Sequence, residues 1–202
     1  MADIESAVSH EAENFIARSI SPHPRDRIDP IRYAAETMVT ESQAEEWILD
    51  CDGSCRDVTF TPTSKTAVVA LLKSLLLQYT VSSANDNNGI DRSSQLQNDD
   101  PLSGIDGYIH IVLTDGDGLI PHLQLFIDED RDTQEFCLEV TFFPNDINAQ
   151  HWSLVAFRSL VDEWNAILRS ADYFVRYENA SWDLYDLSGL GVINSRNQPP
   201  VA

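Results

Sequence analysis

Positive charge is the scarcest property of this 202-residue sequence, which has 13 lysines and arginines against 33 aspartates and glutamates. Only Lys65 and Lys73 are lysines, and the formal net charge is −20. Nucleic-acid binding needs cations that displace the counterions of phosphates, and docking on an anionic membrane needs cations as well. The composition therefore predicts a protein that binds neither nucleic acid nor membranes. A field this negative would instead favour encounter with a basic partner, although plain solubility explains it too.

Long apolar runs are also missing. Residues 67–79 form the most apolar run, which is too short to span a bilayer and is interrupted by Lys73 and Ser74. The first residues lack the basic and then apolar regions of a secretory signal. Three cysteines do not suggest a disulfide framework. We expect a soluble, cytoplasmic protein.

Catalytic and phosphate-binding motifs are absent from the sequence. It contains no GxSxG, no GxxxxGK[ST], no GxGxxG and no HExxH. His110 and His122 fall on opposite sides of a predicted hairpin and could face each other, and a dyad of a histidine with Cys137 on the next strand can be imagined, but nothing requires it. We predict no enzyme, no catalytic residue and no cofactor, so that binding is the better default.

The segment Asp115-Gly116-Asp117-Gly118 is the best metal candidate, because it resembles the start of an EF-hand loop. That loop needs a bidentate acid at its twelfth position, which is Phe126 here. A hairpin turn explains the glycines as suppliers of positive φ, so we predict no metal site and leave cation binding by the two aspartates as the alternative. Cys51 and Cys55 lack two further zinc ligands, and a close pair of thiols or a redox disulfide is what their spacing allows.

The second half of the chain has the clearer pattern. Residues 107–114, 119–128 and 134–143 alternate apolar and polar side chains and are joined by short polar turns, which predicts an antiparallel β-meander. A helix follows over about 147–170, with an apolar stripe at i, i+3, i+4, i+7 and i+11. Residues 172–182 are predicted as a last strand.

The first half is predicted as helices and one hairpin. Amphipathic helices are expected over 3–18, about 31–39 and 64–80, and a hairpin is expected over 47–60 around Asp52-Gly53-Ser54. The resulting class is α+β: an antiparallel β-meander packed against amphipathic helices, with a hairpin-plus-helix first half. Residues 1–202 are predicted as one domain, because a single hairpin is marginal alone.

Two segments are predicted to lack regular structure. Residues 82–104 are rich in Ser, Asn, Asp and Gly without periodicity, which indicates a flexible loop or a linker between two halves. Residues 188–202 are predicted as a loose C-terminal tail.

Two segments are candidates for binding a protein partner. The acidic run within "FIDEDRDTQEFCLEV", residues 126–140, is predicted at the tip of a hairpin, with Ile127 and Phe136 turned inward. The segment "VRYENASW" combines the aromatic and arginine side chains that are enriched in interface hot spots, although a strand that buries its aromatics explains it as well. The predicted partner-binding residues are Asp128, Glu129, Asp130, Asp132, Arg176, Tyr177, Glu178, Asn179 and Trp182.

The whole chain resembles bacterial toxin-immunity proteins, which protect a cell from contact-dependent or type VI secreted toxins. The resemblance depends on small size, acidity, the α+β pattern and the ending "YFVRYENASW" after a long amphipathic helix. It implies a cytoplasmic antitoxin that binds a cognate bacterial toxin. Independently of the resemblance, the acidity of the chain suggests that the toxin is basic and that the chain occludes its active site. A small acidic adaptor or chaperone for a secreted protein is the alternative. The sequence leaves the oligomeric state unknown.

Overall fold

One antiparallel sheet organises the part of the chain that the computed structural model describes, which is residues 39–178, 191–197 and 200. In these ranges seven strands pair in the order β2-β3-β4-β5-β1-β6-β7. The strands are β1 Arg56–Thr63, β2 Thr80–Asp86, β3 Ile109–Thr114, β4 Leu123–Asp130, β5 Glu135–Phe142, β6 Tyr173–Tyr177 and β7 Val192–Ser195. Together with the helices described below, they confirm the α+β class.

The predicted meander is confirmed as β3, β4 and β5, which pair in sequence order. Ile111, Leu125 and Val140 lie side by side across these strands and are at most 1% exposed. They belong to a buried row that crosses all seven strands and is apolar except for its last member, Asn194. We call it the inner row; its members are Ala84, Ile111, Leu125, Val140, Val58, Val175 and Asn194. Because strand side chains alternate between the two faces, this row fixes which face meets the core.

Three helices are described, and their apolar sides join the core beneath the inner row. Helix α1 spans Glu41–Leu49, α2 spans Lys65–Leu76 and α3 spans Leu154–Leu168. The apolar faces predicted for α2 and α3 are confirmed, since both contribute buried residues to one cluster with the strands. Among the described residues, no helix combines the length and the apolar character needed to cross a bilayer.

The hairpin predicted over 47–60 is wrong. Residues up to Leu49 belong to α1, and only β1 follows the Asp52-Gly53-Ser54 turn. A capping box explains why the helix forms, because the Gln43 amide donates to the Thr40 hydroxyl and the Gln43 side chain accepts from the Thr40 amide. Strand β1 pairs instead with the distant strands β5 and β6. The two halves of the described chain therefore share one sheet. The one-domain prediction also covers residues 1–38, which lie outside the described residues with the predicted helix 3–18 and almost all of the helix 31–39, so it stays a prediction.

The predicted loop 82–104 begins too early. Its first residues belong to the edge strand β2, and Ser93–Gln97 form a 3-10 helix that buries Leu96. Beyond β2 the chain turns back on the strand: the Asp86 carboxylate accepts from the Asn88 and Ile90 amides and pairs with Arg92 at 2.7 Å. Burial alone would raise the pKa of Asp86, but these hydrogen bonds outweigh burial and hold the pKa below its ordinary value.

Two further boundaries differ from the prediction. Helix α3 begins at Leu154 rather than near residue 147, because Ser153 caps it and residues 144–146 form a separate 3-10 turn. The predicted loose tail contains β7, which pairs with β6. The Asp172 carboxylate holds the end of β7 by accepting from the Arg196 amide at 3.0 Å and the Asn197 side chain at 2.7 Å.

Arg56, the first residue of β1, connects four parts of the fold. Its side chain is fully buried and donates to the carbonyl oxygens of Trp47 at 2.7 Å and Asp50 at 2.6 Å. It also donates to the Ser54 carbonyl at 3.1 Å, and its guanidinium carbon lies 3.8 Å from the centre of the Tyr177 ring. One cation thus satisfies carbonyls in the last turn of α1 and in the turn that follows it, and it fixes this end of the helix against β6.

Replacing Arg56 should therefore destabilise the protein strongly. We expect Arg56→Met to lower the free energy of unfolding by roughly 3 kcal/mol or more, because several buried carbonyls would lose their donor. Arg131→Met is the matched control: Arg131 forms an exposed ion pair with Asp106, so its loss should cost no more than about 1 kcal/mol. Urea denaturation followed by tryptophan fluorescence measures both values. Equal costs for the two variants would contradict the role given to Arg56.

Candidate functional site

The outer face of the sheet, opposite the helices, carries a second row of aligned side chains. We call it the outer row. Its members are Asn85, His110, Phe126, Glu139, Thr59, Phe174 and Ser195, each paired with the next across neighbouring strands. All are partly exposed except Ser195, which is buried. Amide, imidazole, phenyl, carboxylate and hydroxyl groups lie in one line, and a half-exposed mixture of this kind is typical of a protein-binding surface.

Three aromatic rings stack over β3 and β4. The rings of His110 and Phe126 are nearly parallel, with centroids 4.4 Å apart, and the Tyr108 ring stacks on Phe126 at 6.1 Å. A nitrogen of His110 also lies 2.9 Å from the Gln124 side-chain oxygen. Burial raises the pKa of Tyr108, and the charges of Glu139 and Asp128 raise it further. The stack therefore lies in a negative local field.

Glu139 is the central charge of the outer row. Its carboxylate accepts from the Thr59 hydroxyl at 2.9 Å and lies 3.7 Å from the Arg176 guanidinium. Both partners come from β1 and β6, on the far side of β5 from the aromatic stack. The ion pair satisfies a half-buried carboxylate and connects three strands across the outer face.

The acidic tip between β4 and β5 is a structured turn. Asp130 faces Glu135 at the end of the ladder, and its carboxylate accepts from the amides of Asp132 and Thr133. Gln134 closes the turn with φ of 58° and donates to the Asp130 carbonyl at 2.7 Å. Ile127 and Phe136 are buried, as predicted. Asp130 thus holds the turn, whereas Asp132 and Glu135 are exposed.

The tip is braced against the segment before β3. Arg131 pairs with Asp106, and the Glu129 amide donates to the Gly107 carbonyl at 3.4 Å. The single cation within the acidic run is therefore engaged by an acid outside it. Asp132 and Glu135 form no ion pair with this cation and are exposed.

Asp128 is the unusual member of the acidic set. It is half-buried on the outer face, paired with Cys137 across β4 and β5. Burial raises the pKa of Asp128, the charges of Asp130 and Glu129 raise it further, and only the Glu129 amide and Arg131 act in the other direction. The structure therefore keeps a carboxylate where its charged form is disfavoured.

The second predicted partner-binding segment is placed only in part. Arg176 is 6% exposed and pairs with Glu139. Tyr177 is 5% exposed and lies against Arg56. Glu178 is partly buried and accepts from the Cys55 thiol at 3.4 Å. Asn179 and Trp182 lie outside the described residues. Partner binding by this segment stays a prediction.

Among the residues that the structure describes, the two reactive partners suggested by the sequence, a histidine and Cys137, are not combined into a nucleophile with a base. Burial raises the pKa of Cys137, and Asp128 raises it further, which disfavours the reactive thiolate. Burial also raises the pKa of Cys55, and the charge of the Asp57 carboxylate raises it further. His110 faces Phe126 across β3 and β4 rather than His122, whose ring lies 3.3 Å from the Asp146 carboxylate.

The turn at Asp115–Gly118 differs from its prediction in one respect. Asp115, rather than a glycine of this turn, has the positive φ, at 60°. Gly116 is required for a different reason: a Cβ atom there would lie 2.2 Å from the Tyr79 ring. In the described ranges, no three His, Cys, Asp or Glu side chains gather closely enough to hold a metal ion.

Removing the charge of Asp128 should stabilise the protein. A carboxyl whose pKa is raised by folding weakens the native state once it is ionised, so stability falls as pH rises through the folded pKa. We expect Asp128→Asn to unfold at higher urea than the unchanged protein at pH 7, and the difference to disappear near pH 3, where both side chains are neutral. Chemical denaturation at the two pH values measures it. A variant that is less stable at pH 7 would show that the carboxylate is a structural acceptor.

The comparisons with known proteins concern the fold. No protein-family model and no curated protein matches the chain. A solved structure does match: it is one chain of the crystal structure of the toxic C-terminal tip of CdiA from Pseudomonas aeruginosa in complex with immune protein. The identity is 15% and the TM-score 0.52, over 72% of this chain and 96% of that chain. The resemblance to toxin-immunity systems is thus confirmed at the level of the fold, which this chain shares with one from such a complex.

Proposed function

We propose that this chain is a cytoplasmic bacterial immunity protein that binds a cognate toxin and neutralises it without catalysis. The observation that carries the proposal is the fold, which is similar to almost the full length of one chain from a toxin–immune protein complex. The half-exposed outer row and the net charge of −20 are further support, because they suit a binder with a basic partner.

The acidic tip is the part of this surface that a basic toxin would meet first. Asp132 and Glu135 are exposed on a turn that Asp130 and the brace to Asp106 hold in place. Charges on a rigid, exposed turn attract an oppositely charged partner over about a Debye length, roughly 8 Å at physiological salt. A surface of this kind occludes a basic active site by occupying the place of its anionic substrate.

Growth of a bacterial host tests the function directly. The chain is expressed alone and together with candidate toxic domains cloned from the genes adjacent to its own; a candidate that arrests growth is the toxic domain of the tests below. We expect the chain alone to leave growth unchanged and to restore growth when the toxic domain is present, with a 1:1 complex on size-exclusion chromatography. Growth arrest by the chain alone would make it the toxic partner, and the absence of both protection and a complex would refute the proposal.

The role of the tip is tested by charge reversal. We expect Asp132→Lys to lower the association rate constant with the toxic domain about threefold or more at low salt, because steering depends on the local field. Asp117→Lys is the matched control, since Asp117 is also exposed, lies in the β3–β4 connection and undergoes the same charge change. Stopped-flow kinetics at low and high salt give both rates. Equal rates for the two variants would assign the effect to net charge alone.

A further inference from the structure

We propose that the Asp128 carboxylate and the Tyr108 end of the aromatic stack form a seat for one cationic side chain of a protein partner, arginine in preference to lysine. The seat lies on the outer face, where β3 and β4 approach the acidic tip. The inference concerns the chemistry of one contact, and it depends on the proposed function only for the identity of the partner.

The position of the seat follows from strand register. Ile109 pairs with Ile127, so Tyr108 and Asp128, one residue further along each strand, are neighbours on the outer face. The Tyr108 ring extends the stack that begins with His110 and Phe126. Tyr108 and Asp128 are both partly exposed. A flat aromatic surface thus adjoins a carboxylate at a place that a partner can reach.

The hydrogen bonding of Asp128 differs from that of three other buried or partly buried acids. Asp86 has Arg92 and two amides, Glu139 has Arg176 and a hydroxyl, and Asp172 has three amides and the Asn197 side chain. In the described part of the chain, the one hydrogen-bond donor to Asp128 is the Glu129 amide, which Asp128 shares with the Gly107 carbonyl. Burial and the neighbouring acids raise the pKa of Asp128 and so disfavour its charged form. A cation placed here would remove that penalty.

The fold contains an occupied seat of the same kind. The Arg56 guanidinium lies 3.8 Å from the Tyr177 ring centre and 3.7 Å from the Asp52 carboxylate. An aromatic face and a carboxylate therefore already flank an arginine within this chain, together with the backbone carbonyls described above. Arginine suits such a place better than lysine, because its planar guanidinium stacks on rings and is less strongly hydrated than an ammonium group.

An arginine analogue tests the seat without the toxin. The full chain, labelled with carbon-13, is titrated with N-acetyl-arginine amide, and the signals of the Asp128 carboxyl and the Tyr108 ring are followed by NMR. We expect a saturable shift confined to the seat, and no shift with the neutral isostere N-acetyl-citrulline amide. Asp128→Asn should weaken binding about tenfold or more, as expected for loss of a charge-assisted hydrogen bond.

Two further variants complete the test. Tyr108→Leu keeps an apolar side chain but removes the ring, and it should also weaken binding. Asp117→Asn, at the other end of β3 and β4, should leave binding unchanged. Shifts spread equally over exposed acids, or unchanged binding by Asp128→Asn, would overturn the seat.

The toxic domain separates this inference from the proposed function. Tight binding of the toxic domain to Asp128→Asn, as strong as to the unchanged protein, would overturn the seat while the immunity function stands. Saturable binding of the arginine analogue at Asp128, in a chain that gives no protection against the toxic domain, would support the seat and refute the immunity function.

Discussion

The buried guanidinium of Arg56 is the interaction on which the described fold depends most. A charge in the interior is tolerated only when its donors are satisfied, and here the acceptors come from the end of α1 and the turn that follows it. The same residue begins β1 and stacks on a residue of β6. Arg56 therefore holds the segment that leads into β1 against the later strand β6, at one end of the two strands.

The structural features that the sequence predicts best are those formed within a single segment of the chain. The meander and the buried stripes of α2 and α3 follow from periodicity within single segments, and they are confirmed. Helix α1 was missed because its short apolar run fits a strand equally well, and only the capping pair Thr40 and Gln43 indicates a helix. Strand β2 was missed because an edge strand with polar side chains has the composition of a loop.

The candidate site likewise has one part that the sequence predicts and one part that it does not. The acidic tip could be predicted, because it lies between two patterned strands of one hairpin. The outer row could not, since it depends on a register between distant strands: the Thr59 hydroxyl meets the Glu139 carboxylate across 80 positions of sequence. The sequence also does not separate the roles of neighbouring acids. Asp130 holds the turn, Asp132 is exposed and Asp128 is half-buried, although all three belong to one run.

The place of β1 in the sheet also determines how early in synthesis the sheet can form. Both neighbours of β1 lie far downstream, so a nascent chain that ends before Glu135 contains neither of them, and one that ends before Tyr173 lacks β6. In such chains β1 exposes at least one unpaired edge in the middle of the future sheet. In the sheet order of the described strands, β1 is the strand that joins β2 to β5 on one side with β6 and β7 on the other. The ribosome must therefore deliver nearly the whole described chain before the outer face exists as a surface.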